Sequence, residues 1–149
     1  SLITLEITES DSITSLESAV RNATRLKRLG VSLAIDDFGT GLATFDYLRR
    51  FKPDWLKIDG SFVLGYEEDP LTREIVLSTI RAARVIGARV VAEFVESSAI
   101  AHRMAGIGVD YLQGYAIDRP MPLAGLVEAD ARRRGLVPRS LGHETVAPA

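Results

Sequence analysis

Two aspartates stand side by side in the stretch LAIDDFGTG, residues 33–41, where an apolar run ends. Adjacent like charges at the end of a buried strand are costly unless something positive meets them. Four other segments break their apolar pattern in the same way. LITLEIT carries Glu6, DWLKID carries Lys57 and Asp59, ARVVAE ends on Glu93, and YLQGY carries Gln113. Taken singly, each residue has a plain explanation, such as capping the next helix or lying in solvent. Taken together, the carboxylates of Glu6, Asp36, Asp37, Asp59 and Glu93 face the single ammonium of Lys57. Such a set cannot stay fully ionised at close quarters unless cations bind or some groups protonate. Oxygen donors in a chain without cysteine suit Mg²⁺, Mn²⁺ or Ca²⁺ rather than structural zinc. A carboxylate shared between two ions explains adjacent aspartates, one bridging and one terminal. Two such ions polarise a phosphoryl oxygen and acidify a bound water. The residues therefore point to metal-assisted chemistry on an anionic substrate, a phosphate ester before others. Lys57 would orient the water or offset charge in the transition state. Glu93 fits a metal ligand and a general base equally. His102, in a helical pattern, and His143, near the end of the chain, read as structural or surface residues.

These groups converge only if the elements carrying them are parallel strands. Strand patterns occupy residues 2–8, 31–36, 54–59, 88–93 and 111–115. Helical periodicity fills the intervals. One helix covers 16–29 and stops at Gly30, and a short one lies near 44–50. A long one runs from about 70 to 86, with Asp69 as N-cap, Pro70 in the first turn and Gly87 as its stop. Others cover about 97–105 and 122–134. Five strand–helix units in succession predict a parallel sheet with helical crossovers. All C-terminal strand ends then lie at one rim, where barrel enzymes keep their chemistry. Alternation of faces places Lys57 with Asp59, opposite Leu56 and Ile58, and groups Asp36 with Ser32 and Ala34. The pattern fits an open doubly wound sheet or part of a closed barrel. A closed eightfold barrel takes roughly 250 residues, so the 149 residues here match five eighths of one. The fold class expected is α/β, a (β/α)8 TIM-like barrel represented by its last five units. The first residue is Ser, and the expectation is a piece of a longer chain. Residues 1–134 would form the domain portion and 135–149 a flexible tail.

Composition bounds the remaining classes. The chain is 46% hydrophobic and 26% charged with net charge −2, which suits one globular domain and offers no basic excess for nucleic acid. The absence of cysteine excludes a disulfide framework and thiolate metal sites. No apolar run reaches membrane-spanning length and no signal peptide is visible.

Five motifs in order and spacing, LEITES (5–10), DDFGTG (36–41), LKIDGSFV (56–63), VVAEFVES (90–97) and QGYAIDRPMP (113–122), resemble the EAL-domain cyclic di-GMP phosphodiesterases. The resemblance covers the chain to about residue 130. It implies an eight-stranded barrel with one reversed strand. It also implies hydrolysis of one phosphodiester bond of cyclic di-GMP to linear pGpG, with two ions of Mg²⁺ or Mn²⁺. By motif position, Glu6 would be a metal ligand, Asp36 would bridge the two ions and Asp37 would bind the second. Lys57 would contact the catalytic water, and Glu93 would serve the second ion or act as base. Gln113 and Asp59 would lie in the substrate site. Glu9 would hold the DDFGTG loop, which in the family couples metal binding to dimerisation, so a homodimer is implied. A cytoplasmic location is expected, in a parent chain that also carries a GGDEF or sensory domain and is open to membrane tethering. The Glu-Ala-Leu signature and a following strand whose Asn completes the first metal site would precede residue 1. Weak or no turnover is therefore expected of the 149 residues by themselves. Two further departures are Phe94, where the family usually has glycine, and GLATF (41–45) in place of a more polar loop. They motivate the alternative of a non-catalytic cyclic di-GMP receptor. An enolase- or aldolase-type enzyme using Lys57 as base or Schiff-base amine ranks below both, because paired aspartates fit phosphodiester chemistry better.

Overall fold

A computed structural model describes residues 3–8, 15–40 and 45–133. Five strands alternate with helices. They are β1 (Thr4–Thr8), β2 (Ser32–Phe38), β3 (Trp55–Ile58), β4 (Arg89–Ala92) and β5 (Tyr111–Leu112). Between them run α1 (Leu16–Arg28), α2 (Phe45–Phe51), α3 (Gly60–Gly65), α4 (Pro70–Ile86) and α5 (Ser98–Gly106), and α6 (Leu123–Arg133) closes the described chain. The residues divide into two units, Ser1–Asp118 and Arg119–Ala149, with α6 in the second. The expected tail at 135–149, His143 and Glu9 lie outside the described residues.

All strand pairs are parallel, in the order β1-β2-β3-β4-β5. This follows from crossover helices that return the chain to the same side of the sheet. Local chemistry sets the helix ends. Asp69 caps α4 by accepting from the backbone N–H groups of Leu71 (3.0 Å) and Thr72 (3.1 Å). Pro70 takes the first turn and Gly87 ends the helix at φ 75°. Two other acids serve the sheet at the N-terminal ends of its strands. Asp54 accepts from the N–H of Leu33 at 2.8 Å, and Asp110 accepts from the N–H of Val90 at 2.7 Å.

One face of the sheet is the core. Leu33, Ile35, Leu56, Ile58, Val90 and Ala92 pack with Leu48, Val63, Val76, Ile80 and Met104 of the helices, all buried. Burial of each large aliphatic side chain stabilises by about 1.5–3 kcal/mol. The strand positions between them, Glu6, Ala34, Asp36 and Lys57, therefore share the opposite face by alternation.

The elements differ from the expected bounds in ways that matter for the site. β2 runs to Phe38 instead of ending at 36, so it includes both aspartates. Its pairing with β3 goes from Ile35↔Leu56 to Phe38↔Ile58, one residue more on β2 than on β3. That is a β-bulge, with Asp37 at φ 52°. β3 stops at Ile58, and the short helix α3, which periodicity did not predict, begins at Gly60. β5 ends at Leu112, so Gln113 follows the strand instead of lying within it.

A candidate metal centre at the strand ends

The bulge in β2 answers the question of the two aspartates. In a regular strand, neighbours point to opposite faces, and one of the pair would be driven into the helical layer. The extra residue and the left-handed backbone at Asp37 re-aim its side chain. Asp36, Asp37 and Glu93 can then each offer a carboxylate oxygen within 4.8 Å of the others. Asp36 also accepts from the N–H of Asp37 at 3.1 Å, which holds the bulge. Glu93 follows β4 directly, and its backbone N–H donates to the carbonyl of Ile58 at 3.2 Å. Three oxygen donors at this separation fit one hard divalent cation, and the absence of sulfur and imidazole argues against zinc.

Lys57 is the other centre of the cluster. Its side chain is only 7% exposed, and its Nζ lies 2.7 Å from Glu93, 2.8 Å from Asp36 and 3.3 Å from Glu6. These acids come from β1, β2 and the end of β4. A lysine at a strand end taken alone reads as solvated; this one is buried among the three acids it pairs with. Burial opposes its charge, but the hydrogen bonds and charges of Asp36 and Glu93 outweigh burial and raise its pKa. Asp36 and Glu93 thus favour the ammonium form of Lys57, whereas a Schiff base needs the free amine. Burial raises the pKa of Glu93, Lys57 pulls it back, and the charges of Asp36 and Asp37 push it up again. Lys57 brings one positive charge to Glu6, Asp36 and Glu93, and a divalent ion at the oxygens of Asp36, Asp37 and Glu93 would add to it.

The other expected site residues fall differently. Asp59 is turned to the N-terminus of α3, where it accepts from the backbone N–H of Ser61 at 2.9 Å and from the Ser61 hydroxyl. Because β3 has already ended, alternation no longer places Asp59 with Lys57. Gln113 is fixed through its backbone. Its N–H donates to Ala92 at 2.8 Å, and its carbonyl accepts from Val95 at 3.0 Å. It lines a hollow of about 190 Å³ with Phe94, Glu96, Gly114 and Tyr115. Gly114 is required there, because a Cβ would overlap the backbone of Val95. His102 is an exposed residue of α5 whose Nδ1 lies 2.7 Å from the carbonyl of Ser98, consistent with a surface role. Sequence reasoning gave no role to Gly60. A small residue between the strand-end acid Asp59 and the apolar Phe62–Val63 pair was the available signal.

A parallel α/β sheet whose strand ends gather oxygen donors around a buried lysine defines a barrel-type domain with an acidic rim. The EAL domain model matches residues 1–120, and the chain belongs to the EAL domain family. The cyclic di-GMP phosphodiesterase PdeB of Shewanella oneidensis is 43% identical over 126 residues, covering 85% of this chain and 15% of that protein. The EAL domain of DcpA from Mycobacterium smegmatis superposes with a TM-score of 0.78 at 35% identity, over 87% of this chain and 58% of that one. BlrP1 of Klebsiella pneumoniae, solved as a manganese/cyclic di-GMP complex, superposes with a TM-score of 0.69 at 33% identity, over 75% of this chain and 29% of that one. The DcpA chain is an EAL domain, and the five-stranded parallel sheet with alternating helices fits part of an α/β barrel of that family. The chain thus spans a small part of its curated relatives and about half of a solved EAL domain. Among the described residues no helix is long and apolar enough to cross a membrane.

Proposed function

We propose that this chain is the C-terminal portion of a cyclic di-GMP phosphodiesterase domain and supplies most of its metal rim. The reading is carried by one observation: Asp36, Asp37 and Glu93 bring carboxylate oxygens within 4.8 Å of one another while Lys57 ties Asp36 and Glu93 to Glu6. Asp36, Asp37, Glu93 and Glu6 would hold Mg²⁺ or Mn²⁺, two ions when further ligands upstream complete the set. Such ions, when bound, would supply electrophilic activation of a phosphodiester and acidification of water. The chain's own residues do the rest. Lys57 places a fixed positive charge beside the reacting phosphate, where no reorganisation is needed as negative charge develops. Glu93, whose pKa is raised by burial, serves as ligand or accepts the proton of the attacking water. Gln113 and the hollow beside it take part of the substrate, and Asp59 fixes the start of α3 next to the rim. Water attacks phosphorus, one P–O3′ bond breaks, the ribose oxygen takes a proton, and linear pGpG leaves.

The homologous names and the cyclic di-GMP complexes of relatives support the substrate. Glu9 and the DDFGTG loop would couple this site to a homodimer partner, in a cytoplasmic protein with a GGDEF or sensory domain upstream. The test is turnover of cyclic di-GMP by the full-length protein with Mn²⁺. Release of pGpG is expected, with little from residues 1–149 alone. Tight binding without product would establish the receptor alternative in its place.

A further inference from the structure

A phenylalanine with a left-handed backbone and a glycine without one meet beside the acidic cluster. Phe94 has φ 51°, a left-handed backbone that glycine adopts freely and bulky side chains avoid. Gly60, the first residue of α3, has no positive φ, so its backbone is open to any residue. What position 60 lacks is room. A Cβ there would overlap Cγ and Cδ2 of the Phe94 ring and come within 2.7 Å of its Cβ. Each oddity explains the other: the ring that strains the backbone at 94 occupies the space that a side chain at 60 would need. Core burial does not account for the ring, because Phe94 remains 55% exposed. Strain that persists beside a charged cluster calls for a role there.

The two residues also follow the two strand ends that matter. Phe94 comes directly after Glu93, whose carboxylate meets Lys57 at 2.7 Å. Gly60 comes directly after Asp59, the cap of α3. The strand ends are already joined by the Glu93 N–H to Ile58 carbonyl bond of 3.2 Å. The ring against Gly60 adds a second tie between the same two strand ends.

We propose that Phe94 and Gly60 form an interlock that sets the position of Glu93. The ring seated on the glycine Cα holds the left-handed turn after β4, and that turn aims the Glu93 carboxylate at Lys57, Asp36 and Asp37. Phe94 is a positioning residue and Gly60 is its seat. The inference rests on the proposed metal site only in giving Glu93 a ligand to hold.

The experiment is a double-mutant cycle in the full-length protein with Gly60→Ala, Phe94→Gly and the double variant. Hydrogen exchange of the peptide containing Glu93, Mn²⁺ affinity by calorimetry, and kcat and KM for cyclic di-GMP are read for each. In the native background, Gly60→Ala displaces the ring. Exchange at Glu93 rises, Mn²⁺ affinity falls about tenfold, and kcat falls more than KM rises, as expected for a misplaced group. In the Phe94→Gly background a glycine takes the turn unaided, and the same Gly60→Ala change alters Mn²⁺ affinity by less than about threefold. Equal effects in both backgrounds, or none in either, would overturn the interlock. Coupling in exchange without coupling in Mn²⁺ affinity would reduce the contact to packing and overturn the positioning role. A native protein that binds no Mn²⁺ would instead sink the metal-site reading, and the exchange cycle would still decide whether the interlock exists.

Discussion

Replacing Lys57 by Met keeps most of the buried stem and removes the charge. The side chains of Asp36 and Glu93, 16% and 10% exposed, then lose the ammonium that lies 2.8 and 2.7 Å from them. Removing one partner of a buried ion pair costs about 3–5 kcal/mol, and the lower end applies here because Glu6 is 48% exposed and gains from solvent. The pH dependence has a definite sign. The native Lys57 pKa lies above its ordinary 10.5, so its contribution is complete below that value and lost only when pH rises through the folded pKa. Its own titration therefore adds no slope near neutrality, and any slope there comes from Glu93. Glu93 titrates above its ordinary 4.5 because burial raises it, so its folded form is favoured below that value and penalised as pH rises. Without Lys57 the penalty grows, because the group that pulled the pKa down is gone. The stability gap between native and Lys57→Met protein should therefore widen between about pH 5 and pH 8. Saturating Mn²⁺ should close part of it, because the variant's uncompensated carboxylates bind the ion more tightly, and each tenfold gain in affinity at saturation adds about 1.4 kcal/mol to its folded state. Urea midpoints of the two proteins at both pH values, with Mn²⁺ and with chelator, measure all of this. Equal midpoints in chelator at pH 8, or a gap indifferent to both pH and Mn²⁺, would refute the claim that Lys57 is the resident counter-ion of the acidic rim.

Three other outcomes follow from the same geometry. Glu93→Gln keeps shape but removes a donor charge, and cyclic di-GMP turnover should drop about 10²–10⁴-fold with weaker Mn²⁺ binding by calorimetry. Unchanged turnover would remove Glu93 from the reaction. Gly114→Ala forces a Cβ into the Val95 backbone; destabilisation of about 1–3 kcal/mol in urea and faster exchange around Gln113 are expected. Asp69→Ala removes the α4 cap and should lower the melting temperature. The Asp69 pKa is lowered, chiefly by the Thr72 hydroxyl and the N–H groups of Leu71 and Thr72. The cap is thus fully effective above the ordinary 3.8 and fades as pH falls through the folded value, so the difference in melting temperature should shrink in strong acid.

The sequence carried the fold and most of the rim because both rest on short-range pattern. Period-two alternation separates Leu56 and Ile58 from Lys57, and it holds as long as the strand is regular. Capping signals around Asp69, Pro70 and Gly87 were legible for the same reason. What alternation cannot show is where regularity ends. The bulge that brings Asp37 to the side of Asp36 exists only in the register of β2 against β3, a pairing between distant segments. Asp59 was placed with Lys57 by extending the period one step too far. The chain had already turned, because its carboxylate gains the N–H and hydroxyl of Ser61 by starting α3. The burial of Lys57 likewise depends on acids from three separate segments.

Phe94 shows the same limit from the other side. Read within its own motif, it is a bulky residue where glycine is usual and therefore a defect that would crowd or shift Glu93. The structure places its ring on Gly60, from a different motif, where the backbone makes no demand for glycine. A left-handed phenylalanine is tolerated only if its surroundings over-determine it, and a glycine without a backbone reason needs a spatial one. Neither condition is visible in one motif, and both are met by the pair. The departure at Phe94 therefore does not by itself argue for a degenerate, receptor-type site. Its compensation is already present at Gly60, and the acids it would have disturbed, Glu93 with Asp36 and Asp37, remain within 4.8 Å of one another.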